Sequence, residues 1–395
     1  MIKGDASLVI DMGNSSTKSA ILYKKSTEDK AKLYMFERSN EWGVIIENDK
    51  VNDYIKEYDD KTSTVIKYND QYYCNGEVQR VNYPSALRPT AKIKKYLYEG
   101  TPITIRFAFF NALRIISQIE GVDYQELDIT WNVVTLLPPG DIDEGKDRLI
   151  EIIQNIEYLD IVFPELVYDI NINKGNIKVL PEGFCAYMAN VFDIGKKVRQ
   201  DYKYLTQETV LVADIGAGTT DFILIKNNKL IQDSKYSAEV GGNNVAVSVT
   251  SELRKQGINI KRSTVDATIS EGFVKNGTDK IDIKELLDTT KRKISNDLNR
   301  NVVDYFETVQ IDTAEIGYII ICGGGSIDDK CGIKSLGEYV ATSFKQIVPN
   351  TELVEPPFHT AIKVDEHFNI KRVDERISPR DLNLLGACIM AEMLG

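Results

Sequence analysis

The sequence predicts an α/β protein of two lobes, each built on a mixed β-sheet flanked by helices. The chain has 395 residues, more than one hydrophobic core usually serves, and 43% of them are hydrophobic. Apolar runs with strand character alternate along it with helical patterns, the order expected of α/β folds. One strand–turn–strand pattern also occurs twice, about half a chain apart. The first copy is SLVIDMGNSSTKSAILY, with the turn D-M-G-N-S-S-T-K from Asp11 to Lys18. The second is TVLVADIGAGTTDFILIKNN, with the turn D-I-G-A-G-T-T-D from Asp214 to Asp221.

After the first hairpin comes a polar stretch rich in Lys, Asp and Tyr, from about residue 24 to 83, which reads as a peripheral insertion with short strands such as VIIE and TVIKY. Ile103 to Glu120 reads as a helix, with Phe107, Phe110, Leu113, Ile116 and Ile119 at three-residue steps and Gly121 as its stop. WNVVTLL is a buried strand ended by Pro138, Pro139 and Gly140, and Lys146 to Ile156 is helical. LPEGFCAYMANVF is expected to be a helix with Pro181 in its first turn. Asn244 to Lys255 and Ile283 to Leu298 read as helices, and GYIIICGGGSIDD as a strand that ends in glycines. The expected division is lobe I over 1–185, with a small subdomain at about 36–100 and a return of 370–395, and lobe II over 186–369, with a small subdomain at about 239–305.

A net charge of −11 and a pI near 5.0 argue against binding nucleic acid or anionic membrane by bulk electrostatics, so any DNA partner is expected to need an adaptor. The five cysteines form no C-x-x-C pair and there are only two histidines, His359 and His367, which fits a reducing cytoplasm and no structural zinc. Neither a signal peptide nor an apolar run of the roughly 18 residues that span a membrane is expected. The sequons at Asn14 and Asn276 are then chance matches.

The chemistry lies in the two turns. A turn that touches phosphates must expose backbone N–H groups in one direction, which calls for glycines and small hydroxyl residues. Lys18 supplies a positive charge, and Asp11 and Asp214 are candidate ligands for Mg²⁺ through its water shell. G-N-S-S-T-K is not a Walker A loop, because Thr17 stands where that motif needs glycine; G-A-G-T-T-D lacks the third glycine of the dinucleotide fingerprint.

Taken in order, these residues resemble the actin, Hsp70 and sugar-kinase superfamily. Asp11, Gly13, Ser15 and Lys18 match its first phosphate loop, with Asn14 and Ser16 beside them. Gly216, Ala217, Gly218, Thr219 and Thr220 match the second. P-E-G at Pro181 to Gly183, with Ala186, is similar to the first connecting helix, and Glu182 falls where the family places the residue that orients the attacking water. Gly241 and Gly242 resemble the glycine pair opening a helix near the phosphates, and Gly323, Gly324, Gly325 and Ser326 the adenosine motif. Asp288, Lys291, Arg292 and Ser295 are similar to the Hsp70 helix that frames adenosine, and their spacing puts them on one helix face. L-N-L-L-G-A at Leu382 to Ala387 resembles the second connecting helix, with Gly386 allowing close approach. Plainer readings exist: Glu182 as a favourable charge at a helix start, Lys291 and Arg292 as a solvated face, the glycine run as a tight strand exit.

The resemblance implies an actin-like fold with the nucleotide, ATP or alternatively GTP, in the cleft between the lobes, Mg²⁺, and catalysis by Glu182 and Asp214. No Hsp70 substrate domain is expected after the second connecting helix, and the amphipathic end segment of MreB- or FtsA-type actins is not expected either. What remains is a resemblance to bacterial plasmid-segregating actins of the ParM type. It implies an ATPase that assembles with itself into a head-to-tail filament and reaches DNA through a ParR-like adaptor. The alternatives are a small-molecule kinase and an MreB- or FtsA-like cytoskeletal actin.

Overall fold

The computed structural model describes residues 1–13, 16–25, 27–46, 51, 53, 63–83, 93–163 and 166–394. Two main sheets are built on β1 (Ile2–Met12), β2 (Ser16–Tyr23), β3 (Lys32–Ser39), β4 (Leu127–Leu137), β5 (Asn173–Pro181), β6 (Thr209–Ile215), β7 (Thr220–Lys226), β8 (Ile316–Cys322), β9 (Phe358–Val364) and β10 (Ile370–Arg376). The first sheet runs β5-β4-β1-β2-β3-β9-β10; in the second, β6 lies between β7 and β8, with short edge strands at Lys229–Leu230 and Glu352–Leu353. The repeated sequence pattern is a repeated structure. β1 pairs antiparallel with β2 and parallel with β4, and β6 pairs antiparallel with β7 and parallel with β8.

The helices that cover the sheets include α1 (Thr101–Glu120), α2 (Ile142–Gln154), α3 (Phe184–Val191), α4 (Gly242–Lys255), α5 (Lys284–Thr308), α6 (Leu336–Ile347) and α7 (Leu382–Leu394). Successive strand residues point to opposite faces, so Leu8 and Ile10 join Phe109 and Trp131 in one core while Val9 faces another. That second core lies between the sheets. It joins Val9 and Ala20 of the first sheet, Val212 and Ile223 of the second, and the residues of α3 and α7 packed between them. A third core lies on the outer face of the second sheet, under α4, α5 and α6. Strands covered on both faces read as continuous apolar runs, which is why SLVI and TVLVA carry so little polar character.

α3 and α7 cross very closely. A Cβ on Gly386 would stand 1.7 Å from the carbonyl oxygen of Cys185, so only glycine fits there. α1 ends as expected at Gly121, whose left-handed φ of 73° lets its N–H donate to Ser117 O.

Other expectations are corrected. Pro181 is the last residue of β5, in register with Leu137, and not the first turn of a helix. Gly183 follows at φ 70°, a conformation no helix continues through, so α3 starts at Phe184. α5 runs on to Thr308, ten residues past Leu298, because Val302, Val303 and Phe306 extend its buried stripe. The chain re-enters the first sheet at Phe358, where β9 starts, and β9 pairs with β3 over Ile362–Val364, so the boundary expected at 369 falls inside the β9–β10 hairpin. The small sheet of the first lobe joins Gly43–Ile45, Ser63–Tyr68 and Gln71–Gly76 to Tyr158–Phe163 and Leu166–Asn171, two strands from outside the expected insertion. Glu47 of the VIIE stretch lies outside the described residues.

Candidate active site

The C-terminal ends of β1, β6 and β8 open onto one cleft of about 300 Å³. Asp11, Gly13, Ser16 and Lys18 line it from the first hairpin, Asp214, Gly216, Ala217, Thr219 and Asp221 from the second. Both turns close alike: Gly13 N–H donates to Ser16 O at 3.0 Å and Gly216 N–H to Thr219 O at 2.8 Å. Asn14 and Ser15 lie outside the described residues.

The charges around the turns differ. Asp11 faces Lys18 across β1 and β2, and Oδ2 and Nζ are 3.2 Å apart. Burial works to raise the Asp11 pKa, but Lys18 and Lys95 overcome it and hold the carboxylate below its ordinary value. Asp214 faces Asp221 instead. Burial, and then the Asp221 charge, push Asp214 up to about 6, against the pull of the Asn383 amide. Asp221 is likewise pushed up to about 6, mainly by burial, with Glu182 adding to it.

Glu182 stands between the turns, just past the end of β5, its N–H donating to Leu137 O at 2.8 Å. Its carboxylate forms an ion pair with Lys95, and both groups are largely buried. Burial pushes Glu182 up to about 7, opposed by Lys95 and reinforced by Asp11 and Asp214. A carboxyl group poised there can hold a water and exchange its proton near neutral pH.

Several expected ligand residues brace the turns from behind. A Cβ on Gly241 would stand 2.5 Å from Gly216 O, while the N–H groups of Gly242 and Asn243 donate to the carbonyls of Gly216 and Ala217. The first amides of α4 are therefore spent on the second turn. Thr220 is buried and its hydroxyl donates to Val240 O at 2.7 Å; Gly218 belongs to the turn itself. Gly323 and Gly324 line the cleft, Gly323 at φ 86° with space for a Cβ closed by Asp214 and Ile215. Gly325 packs on Ile215, and the buried Ser326 hydroxyl donates to Cys322 O at 2.7 Å, so these two shape the turn and do not line the cleft.

The four α5 residues are not brought to this cleft: none lines it. Lys291 is buried and held at 2.7 Å by both Asp329 Oδ2 and Lys334 O, because a buried ammonium needs its charge matched. Asp288 accepts from Arg292 and Tyr339, and Ser295 Oγ donates to Arg292 O at 2.9 Å. The shared helix face exists, but it packs toward the 329–339 segment.

The cleft residues that escaped the sequence reading include Lys95 from the segment before α1, Arg380 from the short turn that leads into α7, and Asn383 from the start of α7. Arg380 pairs with Glu37 at 2.5 Å, Glu37 also accepts from Ser16, and Lys18 donates to Arg380 O. Asn383 lay within the quoted L-N-L-L-G-A, where a polar residue in an otherwise apolar stretch was the one available signal.

Among the described residues, no cluster of three or more His, Cys, Asp or Glu groups could hold a metal ion directly. Asp11 and Asp214 instead fit an ion bound through its water shell, since both are carboxylates at the same cleft and Asp214, unlike Asp11, is in no ion pair among the described residues. Among the described residues no helix is long and apolar enough to cross a membrane.

Comparison with known proteins agrees with this architecture. Residues 212–329 match the family of archaeal actin homologues, MreB-like, C-terminal. No curated protein sequence matches the chain. Among solved structures, the archaeal actin homologue Ta0583 is similar at 15% identity and a TM-score of 0.65, over 99% of this chain and 100% of that one; it has also been solved in complex with ADP. The actin-like protein Alp7A aligns at 14% identity and a TM-score of 0.66, over 100% and 97%. A ParM from Clostridium botulinum, solved as a 15-stranded filament, aligns at 15% identity and a TM-score of 0.62, over 99% of each chain. The chain has the actin-like fold, and it resembles archaeal and ParM-type actin homologues.

Proposed function

We propose that the protein is an ATPase that assembles head to tail into filaments and moves DNA, such as a plasmid, through a DNA-binding adaptor of the ParR kind. The observation that carries this reading is Glu182 held between two glycine turns that close alike on one cleft. The turn amides and Lys18 bind and orient the phosphates, and Glu182 holds the attacking water in line with the γ-phosphate and takes its proton. Lys95 keeps Glu182 oriented until nucleotide enters. Asp11 and Asp214 would hold Mg²⁺ through its water shell, and the ion would supply charge neutralisation on the phosphates. Filament formation follows from a head-to-tail contact, which does not close on itself. The filament of the similar C. botulinum ParM and the ADP complex of the similar archaeal protein support the reading.

The test is light scattering and pelleting of the purified chain on addition of Mg-ATP, with Mg-GTP in parallel, and phosphate release followed in the same samples. Polymer with phosphate release is expected. Phosphate transfer to a small molecule without polymer would favour the kinase reading; polymer that forms only on vesicles would favour an MreB- or FtsA-like one. An adaptor is expected to join filament to DNA, because the charge of −11 repels a polyanion.

A further inference from the structure

We infer that Asn383 is a positioning residue that sets Glu182 and Asp214 relative to each other across the two lobes. The inference rests on the hydrolysis proposed above. Asn383 is the second residue of α7 and is only 6% exposed. Its Nδ2 donates to Asp214 Oδ2 at 2.5 Å, and its Oδ1 accepts from Gly183 N at 2.8 Å. The N–H of Gly183 belongs to the peptide unit that follows Glu182. Glu182 is therefore gripped on both sides, by Leu137 O on its own N–H and by Asn383 on the next. One grip comes from the first sheet, and the other is shared with Asp214, the acidic end of β6 in the second.

The chemistry admits few substitutes. A buried N–H needs an acceptor and a carboxylate needs a donor, so the amide can sit in only one orientation; turned over, it would set donor against donor and acceptor against acceptor. Leucine matches its shape and supplies neither group, and aspartate supplies the acceptor alone. The platform beneath is rigid: α7 lies between the two sheets, and Gly386 seats it against the Cys185 carbonyl. A side chain fixed on such a platform holds two groups in register where loops alone would let them drift.

The test is steady-state phosphate release by the full chain, wild type against Asn383→Leu and Asn383→Asp, over a range of Mg-ATP concentrations. Asn383→Leu is expected to lower kcat about 10- to 100-fold while KM moves less than about threefold, because misplacement costs rate more than binding. Asn383→Asp is expected to fall at least as far, since it keeps the Gly183 contact but sets a carboxylate against Asp214. A folded variant with kcat within about threefold of wild type, or one that changes KM or thermal stability alone, overturns the inference. If Asn383→Leu does not fold, Asn383→Asp decides by the same criterion. Wild-type protein that releases no phosphate removes the hydrolysis reading and this role with it; an active wild type with unaffected variants removes Asn383 alone.

Discussion

Across the first hairpin Asp11 faces Lys18, and at the same register of the second Asp214 faces Asp221. The backbones are alike, down to the Gly13–Ser16 and Gly216–Thr219 hydrogen bonds. The electrostatics are opposite: in the first hairpin the carboxylate is neutralised by its own neighbour and stays below its ordinary pKa, while in the second two acids share a buried site and both rise to about 6. A duplicated scaffold has thus been given two tasks by one change of charge. In the proposed function the first turn would offer a cation to phosphates, and the second would keep negative charge for a cation that arrives with them.

The largest effect is expected at the residue between the hairpins. Glu182→Gln should slow phosphate release about 10²- to 10³-fold, as loss of a general base does, while nucleotide-dependent assembly by light scattering persists. Release at the wild-type rate would take Glu182 out of the mechanism. Lys18→Asp makes the first hairpin resemble the second, and nucleotide affinity by calorimetric titration should fall about a hundredfold through loss of a charge-assisted contact. Affinity within threefold of wild type would mean that the charge difference between the hairpins does not govern phosphate binding.

The smallest effect makes the second hairpin resemble the first. The pKa of Asp221, raised from 3.8 to about 6, means that the folded state holds its proton more tightly than the unfolded one. Stability is then lost as pH rises through the window from about 4 to about 6, and the loss is complete above it. Asp221→Asn should therefore stabilise the nucleotide-free protein by about 1 to 3 kcal/mol at pH 8 and by almost nothing at pH 4, as read by denaturant unfolding. An equal change at both pH values would show that Asp221 bears no such burden.

Much of this site was legible because its grammar is local. A strand, an Asp-x-Gly turn and a second strand lie within about 20 residues, so apolar runs and turn residues suffice to mark both hairpins. The Gly121 stop of α1 and the small residue at Gly386 were legible for the same reason. Pro181 was misread because a proline suits the first turn of a helix as well as the end of a strand, and the pairing with Leu137 that decides between them is not local. The α5 residues were placed correctly on one face; the side to which that face turns depends on Asp329 and Tyr339, reached only through the fold.

The amino-acid order by itself determined the two-lobed α/β class, the duplicated hairpins, and the acids and glycines at their turns. Those follow from side-chain period and backbone freedom, which act over a few residues. Tertiary structure alone decided that Lys95 neutralises Glu182, that Arg380 and Glu37 brace the first turn, and that one amide at Asn383 joins Gly183 to Asp214. These pairings link residues far apart in the chain, and burial, where an unmatched charge or N–H is costly enough to demand its partner, selects those at Glu182 and Asn383.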